Sequence, residues 1–169
     1  MTDDYVVDTN VWVMVDKAIA EVNTTAELDC IETCQKWLQD FINRPADRLV
    51  LDNQYMILGE YRDNIKRGRL SDDMLRKLED QPRNRLIEIP IACDEDGYAI
   101  VPDSLVEAEF DPSDRKFVAV ALAHDPTPPI INATDSDWEE KSDAIKQCGI
   151  VVIECCPDCV AETLANKRK

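Results

Sequence analysis

Short apolar runs alternate along the chain with longer segments in which apolar residues recur every three or four positions. Tyr5-Val6-Val7 reads as a short buried strand ending at Asp8. Thr24-Thr25-Ala26-Glu27 has a capping-box pattern, in which Thr24 caps a helix and Glu27 reaches back toward its start. Leu28, Ile31, Cys34, Leu38, Phe41 and Ile42 follow at helical spacing until Pro45. Arg48 to Leu51 is a second strand. Asp52-Asn53 caps a helix whose stripe runs through Tyr55, Met56, Leu58, Tyr61 and Ile65 before Gly68 ends it. Ser71 to Leu78 is a short helix and Arg85 to Ile91 a strand. Phe117 to Ala123 is nearly all apolar and small, which predicts a helix buried on most sides. An apolar strand begins at Pro129 and runs to Asn132. Asp137 to Cys148 reads as a helix closed by Gly149, Ile150 to Glu154 as the last strand, and Pro157 to Asn166 as a terminal helix with proline at its start.

Strands that alternate with helices predict an α/β fold, a three-layer αβα sandwich whose mostly parallel sheet is covered on both faces. The strands are continuous apolar runs, as buried parallel strands require. A length of 169 residues suits a single domain. Its core is expected over about residues 5–155, with a terminal helix over about 157–166. In open sheets of this kind ligands sit outside the carboxyl ends of the strands.

Charge adds detail to that picture. Nineteen Lys and Arg against 35 Asp and Glu give a net charge of −16. The 44% apolar content separates the chain from a disordered acidic tail. No run of about 18 apolar residues occurs, so no membrane span is expected. The start, MTDDYVVDTN, is acidic and lacks the basic n-region of a secretory signal, which points to a cytoplasmic location. Residues 62–85 carry eight basic side chains (Arg62, Lys66, Arg67, Arg69, Arg76, Lys77, Arg83 and Arg85) against five acids. They read either as a solvated helix face or as a phosphate-contacting patch. Residues 86–114 carry nine acids and no base. Within them, 92–111 read as an acidic insertion with little regular structure, either a docking surface for a basic partner or a solvated loop.

Acids stand where the strand-end rule directs attention. Asp8 follows the first strand, Asp135 and Asp137 follow the strand from Pro129, and Asp114 precedes the buried helix Arg115 to Ala123. Glu60 lies on or beside the core-facing stripe of its helix. Each has an ordinary reading when taken alone. Asp8, Asp135 and Asp137 are possible helix caps, Asp114 is a helix-start acid, and Glu60 can pair with Asn64 or Arg67. Taken together, gathered carboxylates repel and are tolerable if a divalent cation neutralises them. Oxygen donors of this kind suit Mg²⁺ or Mn²⁺. His124, the one histidine, follows the buried helix and reads as structural.

With these residues in view, the chain resembles the PIN-domain nucleases, of the kind that serve as VapC-like toxins. VVDTNVWV at Val6 to Val13 is similar to that family's opening motif, DRKFVAVALAHD at Asp114 to Asp125 to its third acidic motif, and INATDSDW at Ile131 to Trp138 to its fourth. Glu60, in ILGEYRDNI, stands where the family has its helical acid. The resemblance spans about residues 5–155. It implies a twisted five-stranded parallel sheet and metal-dependent endonucleolytic cleavage of single-stranded RNA, leaving 5′-phosphate and 3′-hydroxyl ends. It implies catalytic roles for Asp8, Glu60, Asp114, Asp135 and Asp137. Of these, Asp8, Asp114 and one or both of Asp135 and Asp137 hold Mg²⁺ or Mn²⁺, with Glu60 as a further ligand. Asn10, Thr134 and Ser136 support that shell, and Arg62, Lys66 and Arg67 guide the RNA backbone. Implied partners are an antitoxin or other regulatory protein and a second copy of the chain. Trp138 stands where the family usually has Phe, which reads as a packing change. The alternatives are a catalytically weak PIN-like binding module and a haloacid-dehalogenase-like phosphatase. The second of these wants an acid where Asn10 stands.

Seven cysteines in a chain without an export signal suggest reduced thiols rather than a disulfide framework. Cys30 and Cys34 share a helix face, and Cys156-Pro157-Asp158-Cys159 has the spacing of half a zinc site or a redox pair. Burial as small apolar side chains is the default reading. The four thiols meet at a Zn²⁺ only if the terminal helix packs near the first long one.

Overall fold

The structure, a computed structural model, describes residues 3–81 and 85–169. Arg83 of the basic segment lies outside the described residues. Five strands, β1 (Asp4–Val7), β2 (Arg48–Asp52), β3 (Leu86–Ile89), β4 (Ile130–Asn132) and β5 (Val152–Glu154), form one sheet in the order β3-β2-β1-β4-β5. Every pairing is parallel. This matches the expected α/β class and its three-layer sandwich.

Nine α-helices occur among the described residues: α1 (Thr9–Val15), α2 (Thr25–Asn43), α3 (Met56–Asn64), α4 (Leu70–Asp80), α5 (Asp103–Glu107), α6 (Arg115–Ala123), α7 (Asp137–Glu140), α8 (Ser142–Gln147) and α9 (Pro157–Lys167). The chain steps from β1 outward through β2 to β3, then returns to β4 on the far side of β1 and continues to β5. Right-handed crossovers therefore put α1 to α4 on one face and α6 on the other. The contacts agree: α1 packs on α2, α3 and α4, whereas α6 lies across β1, β2 and β4. The order reverses between β1 and β4, so the crevice at their carboxyl ends is the expected ligand position.

Local chemistry explains the element ends. Thr24 caps α2 by accepting from Glu27 N at 3.2 Å. The Glu27 carboxylate reaches one residue further than a capping box requires, to Asn23 N at 2.7 Å, and pairs with Lys17. Asp52, fully buried, accepts from the backbone N–H groups of Gln54, Met56 and Ile57 at 2.8–3.0 Å and so starts α3. Arg85, expected among the solvated basic residues, is buried. It donates to Phe41 O and Ile42 O in the last turn of α2 and to Asp47 O in the turn that follows, adding partners for carbonyls at the helix end. Gly149 takes φ +79, and Ile150 N returns to Ile145 O to close α8.

Three expectations need correction. Residues 9–15 carried no helix in the apolar pattern, yet they form α1, with Val11, Trp12, Met14 and Val15 buried. The helix expected over Asp137 to Cys148 is broken at Lys141 into α7 and α8. The acidic insertion has little regular structure beyond α5, as expected, but it is not a solvated loop, because it sends Ala99, Val101, Leu105 and Phe110 into the core. Apolar side chains at those four positions anchor a segment whose charge pattern alone suggested solvation.

Candidate metal centre

At the carboxyl ends of β1 and β4, three carboxylates from distant parts of the chain converge. One oxygen each from Asp8, Asp114 and Asp135 lies within 4.8 Å of the other two. Asp8 is placed by β1 and caps α1, where its Oδ1 accepts from Asn10 N at 3.2 Å. Its Oδ2 accepts from Trp138 Nε1 at 2.6 Å. Asp114 stands at the start of α6 without capping it through its side chain, so its carboxylate remains free to face the other two. Asp135 lies three residues beyond β4 in the turn into α7, and its Oδ1 accepts from Asp137 N at 2.9 Å.

Burial, with repulsion from neighbouring acids, raises the proton affinity of all three. Burial pushes Asp8 up to about 7 against the help of Trp138 and Asn10, and the charges of Asp135 and Glu60 add to the rise. Asp114 is pushed up to about 8 by burial and then by Asp8 and Asp135. Asp135 is raised as well, chiefly by burial. Buried oxygen donors whose proton affinity rises for want of a counter-charge are the chemistry a hard divalent cation fits.

The other expected residues are distributed around this core. Glu60 flanks it from α3, but both of its oxygens are engaged. Thr9 Oγ1 donates to Oε1 at 2.5 Å, and the buried ammonium of Lys116 pairs with Oε2. Lys116 also donates to Ser113 O and lies 4.8 Å over the Phe117 ring. Asp137 is outside the converging trio, and its Oδ1 accepts from Lys167 Nζ of α9 at 2.5 Å. Asn10 fastens the two strand ends together, donating from Nδ2 to Asn132 Oδ1 at 2.8 Å and accepting at Oδ1 from Ala133 N at 2.9 Å. Ser136 is buried and its hydroxyl has no hydrogen-bond partner among the described residues. Thr134 and Asn10 border a cleft of about 400 Å³ that also contains Asp16, Lys66 and Arg69. Arg62 pairs with Glu79 at 2.6 Å and, with Arg67, borders a separate cleft between α3 and α4. His124 is held against Asp4 at 2.6 Å, which fits its structural reading.

Several contributors were not singled out from the sequence. Trp138 is a hydrogen-bond donor to Asp8 and not merely a packing change. Lys116 and Thr9 hold Glu60. Asn132 donates through Nδ2 to Asp135 O at 2.8 Å and to Glu154 Oε2 at 2.6 Å. Glu154, at the end of β5, is pushed up to about 7, mainly by burial. The strand-end rule that found Asp8 and Asp135 applies equally to Asn132 and Glu154 and was the available signal. Nothing in the sequence announced the inward turn of Lys116.

No helix among the described residues is long and apolar enough to cross a membrane. Comparison of the chain with known protein families, with characterised proteins and with solved structures finds no match.

Proposed function

We propose that the chain is a metal-dependent endoribonuclease that hydrolyses phosphodiester bonds of single-stranded RNA, with Asp8, Asp114 and Asp135 holding Mg²⁺ or Mn²⁺. The observation that carries this reading is the meeting of those three carboxylates at the β1–β4 crevice, within 4.8 Å. When bound, such an ion acidifies a water and offsets charge that develops on the phosphate oxygens. The chain's own residues supply the rest. Trp138 Nε1 and the Asn10 backbone fix the Asp8 carboxylate in orientation. Asn132 and Asn10 hold the ends of β1 and β4 in register. Lys66 and Arg69, in the cleft beside Asn10, offer positive charge to an RNA backbone that the net charge of −16 otherwise repels. Arg62 and Arg67 extend that track on the neighbouring cleft. Asp137 acts as an anchor for Lys167, not as a ligand. Residence in the cytoplasm, and control by an antitoxin that inserts a basic side chain into the acid pocket, complete the reading suggested by the PIN-domain resemblance.

One observation favours a second reading, a PIN-like module that binds metal and RNA but cleaves weakly. Lys116 and Thr9 occupy both oxygens of Glu60, which leaves three acids for the ion. The phosphatase alternative is not favoured, because both amide atoms of Asn10 are engaged and neither carries an acidic proton. The test is cleavage of end-labelled single-stranded RNA by the purified chain. Cleavage with Mn²⁺ is expected, with loss on chelation and a fall of about a hundredfold or more in Asp8→Asn/Asp114→Asn. Undiminished metal-dependent cleavage by that double variant overturns the assignment. Stabilisation by Mn²⁺ without cleavage selects the second reading.

A further inference from the structure

We propose that Cys30, Cys34, Cys156 and Cys159 form, in the reduced chain, a four-thiolate site for Zn²⁺ where α2 meets the first turn of α9. The condition set by the sequence is met, since α9 packs on α2. Three of the sulfurs already lie together in a buried pocket. Cys34 Sγ is 3.8 Å from Cys156 Sγ and 4.0 Å from Cys30 Sγ. Zn–S bonds of about 2.3 Å in a tetrahedron put neighbouring sulfurs about 3.8 Å apart, so these two edges have the required length. The third edge is closed by a disulfide between Cys30 and Cys156. That bond corrects the expectation of wholly reduced thiols, although Cys34, Cys93, Cys148, Cys155 and Cys159 are free.

The disulfide and the ion would be alternative occupants of the same sulfurs. A dithiol reductant transfers two electrons to the Cys30–Cys156 bond. The bond breaks, two protons complete the two thiols, and the reductant leaves as its own disulfide. The Cα atoms of the pair are 5.2 Å apart, so side-chain rotation suffices to separate the sulfurs. Zn²⁺ then replaces four thiol protons, which pass to solvent.

Cys159 is assigned as the fourth ligand by its placement. It follows Cys156 by three positions, sits in the first turn of α9 and is buried. Two intervening residues bring both sulfurs to one side of a turn, the spacing that metal knuckles use. Cys155, adjacent to Cys156 and only partly buried, lies in the bend after β5 with its N–H bonded to Asn132 O. The N-terminal end of α9, an eleven-residue helix, carries partial positive charge that works against the burial pushing the Cys34 and Cys159 thiols up.

The experiment uses the full chain, reduced with a dithiol and exchanged anaerobically into reductant-free buffer. Co²⁺ is expected to produce the intense sulfur-to-metal charge-transfer absorption and the visible bands of a tetrahedral thiolate site, and Zn²⁺ to bleach them. Metal analysis should give about one more zinc per reduced chain than per oxidised chain, and in the Asp8→Asn/Asp114→Asn background about one against none. The Asp8→Asn/Asp114→Asn variant should keep this zinc, which separates the site from the acid pocket. Cys34→Ser should lose the absorption while its circular dichroism stays native. Absence of thiolate-to-cobalt absorption in the reduced wild-type chain overturns the site without reliance on any variant. Full absorption in Cys34→Ser does the same, and full absorption in Cys159→Ser overturns the fourth ligand.

Discussion

Asp8 serves two purposes at once. It caps α1 through Oδ1 and faces Asp114 and Asp135 as part of the acid cluster. The sequence offered these as competing interpretations, and the geometry makes them compatible, because a carboxylate has lone pairs enough for a backbone N–H and a further partner. Asp8 and Asp135 were legible because the strand-end rule depends only on element order, whereas Asp114 was legible only as a helix-start acid and the sequence kept Glu60 and Asp137 in the same set. Trp138 and Lys116 were not legible, because which way a long side chain reaches is decided by neighbours remote in the chain. Trp138→Phe tests the Trp138 contribution. It keeps a ring against Phe110, whose centroid is 5.2 Å away, and removes only the N–H donor to buried Asp8. Orienting partners of ligands typically contribute 10- to 100-fold, so Mn²⁺ affinity should fall by roughly that factor in a calorimetric titration. Unchanged affinity would show that the tryptophan is packing alone.

At the scale of elements, α1 shows where the pattern misled. Val11-Trp12-Val13-Met14-Val15 is β-branched and aromatic, a composition that favours strands. It becomes a helix because the Asp8 cap starts it and because it is enclosed by α2, α3 and α4. The break at Lys141 was equally hidden, since no proline or glycine marks it. The acidic segment over 92–111 has little regular structure beyond α5, as its composition suggests, but its charge pattern hides four buried apolar positions. Those positions connect the segment to the site: Phe110 packs on Trp138, and Trp138 holds Asp8. Phe110→Ala should therefore act twice. The stability cost is about 3–5 kcal/mol, readable from the urea midpoint at unchanged slope. Mn²⁺ affinity should fall in parallel with that of Trp138→Phe. Lost stability with intact affinity would mean that the segment merely covers the core.

For the whole molecule, the parallel sheet was legible because apolar runs and helical stripes alternate without interruption, and a buried sheet tolerates no other connection. The cysteine arrangement was not, since spacing fixes neither pairing nor partner. The acid cluster also has a global consequence. Asp8 and Asp114 lose their protons near 3.8 when the chain is unfolded but near 7 and 8 when folded. Between about pH 4 and pH 8 the native state therefore binds more protons, so the metal-free protein becomes less stable as pH rises. The slope approaches about 1.4 kcal/mol per pH unit for each group. Thermal unfolding in chelator should show this decline, and Asp8→Asn/Asp114→Asn should flatten it. A decline as steep in the double variant would assign the effect to other groups. The most direct test of the central claim, that these carboxylates form one cation-demanding pocket, is calorimetric titration with Mn²⁺ at pH 6.5 in buffers of different ionisation enthalpy. The account predicts saturable binding that releases about one proton or more per ion, because the cation displaces protons the cluster holds, and loss of both the binding and the release in Asp114→Asn. Binding without proton release, or binding that Asp114→Asn leaves intact, would contradict it.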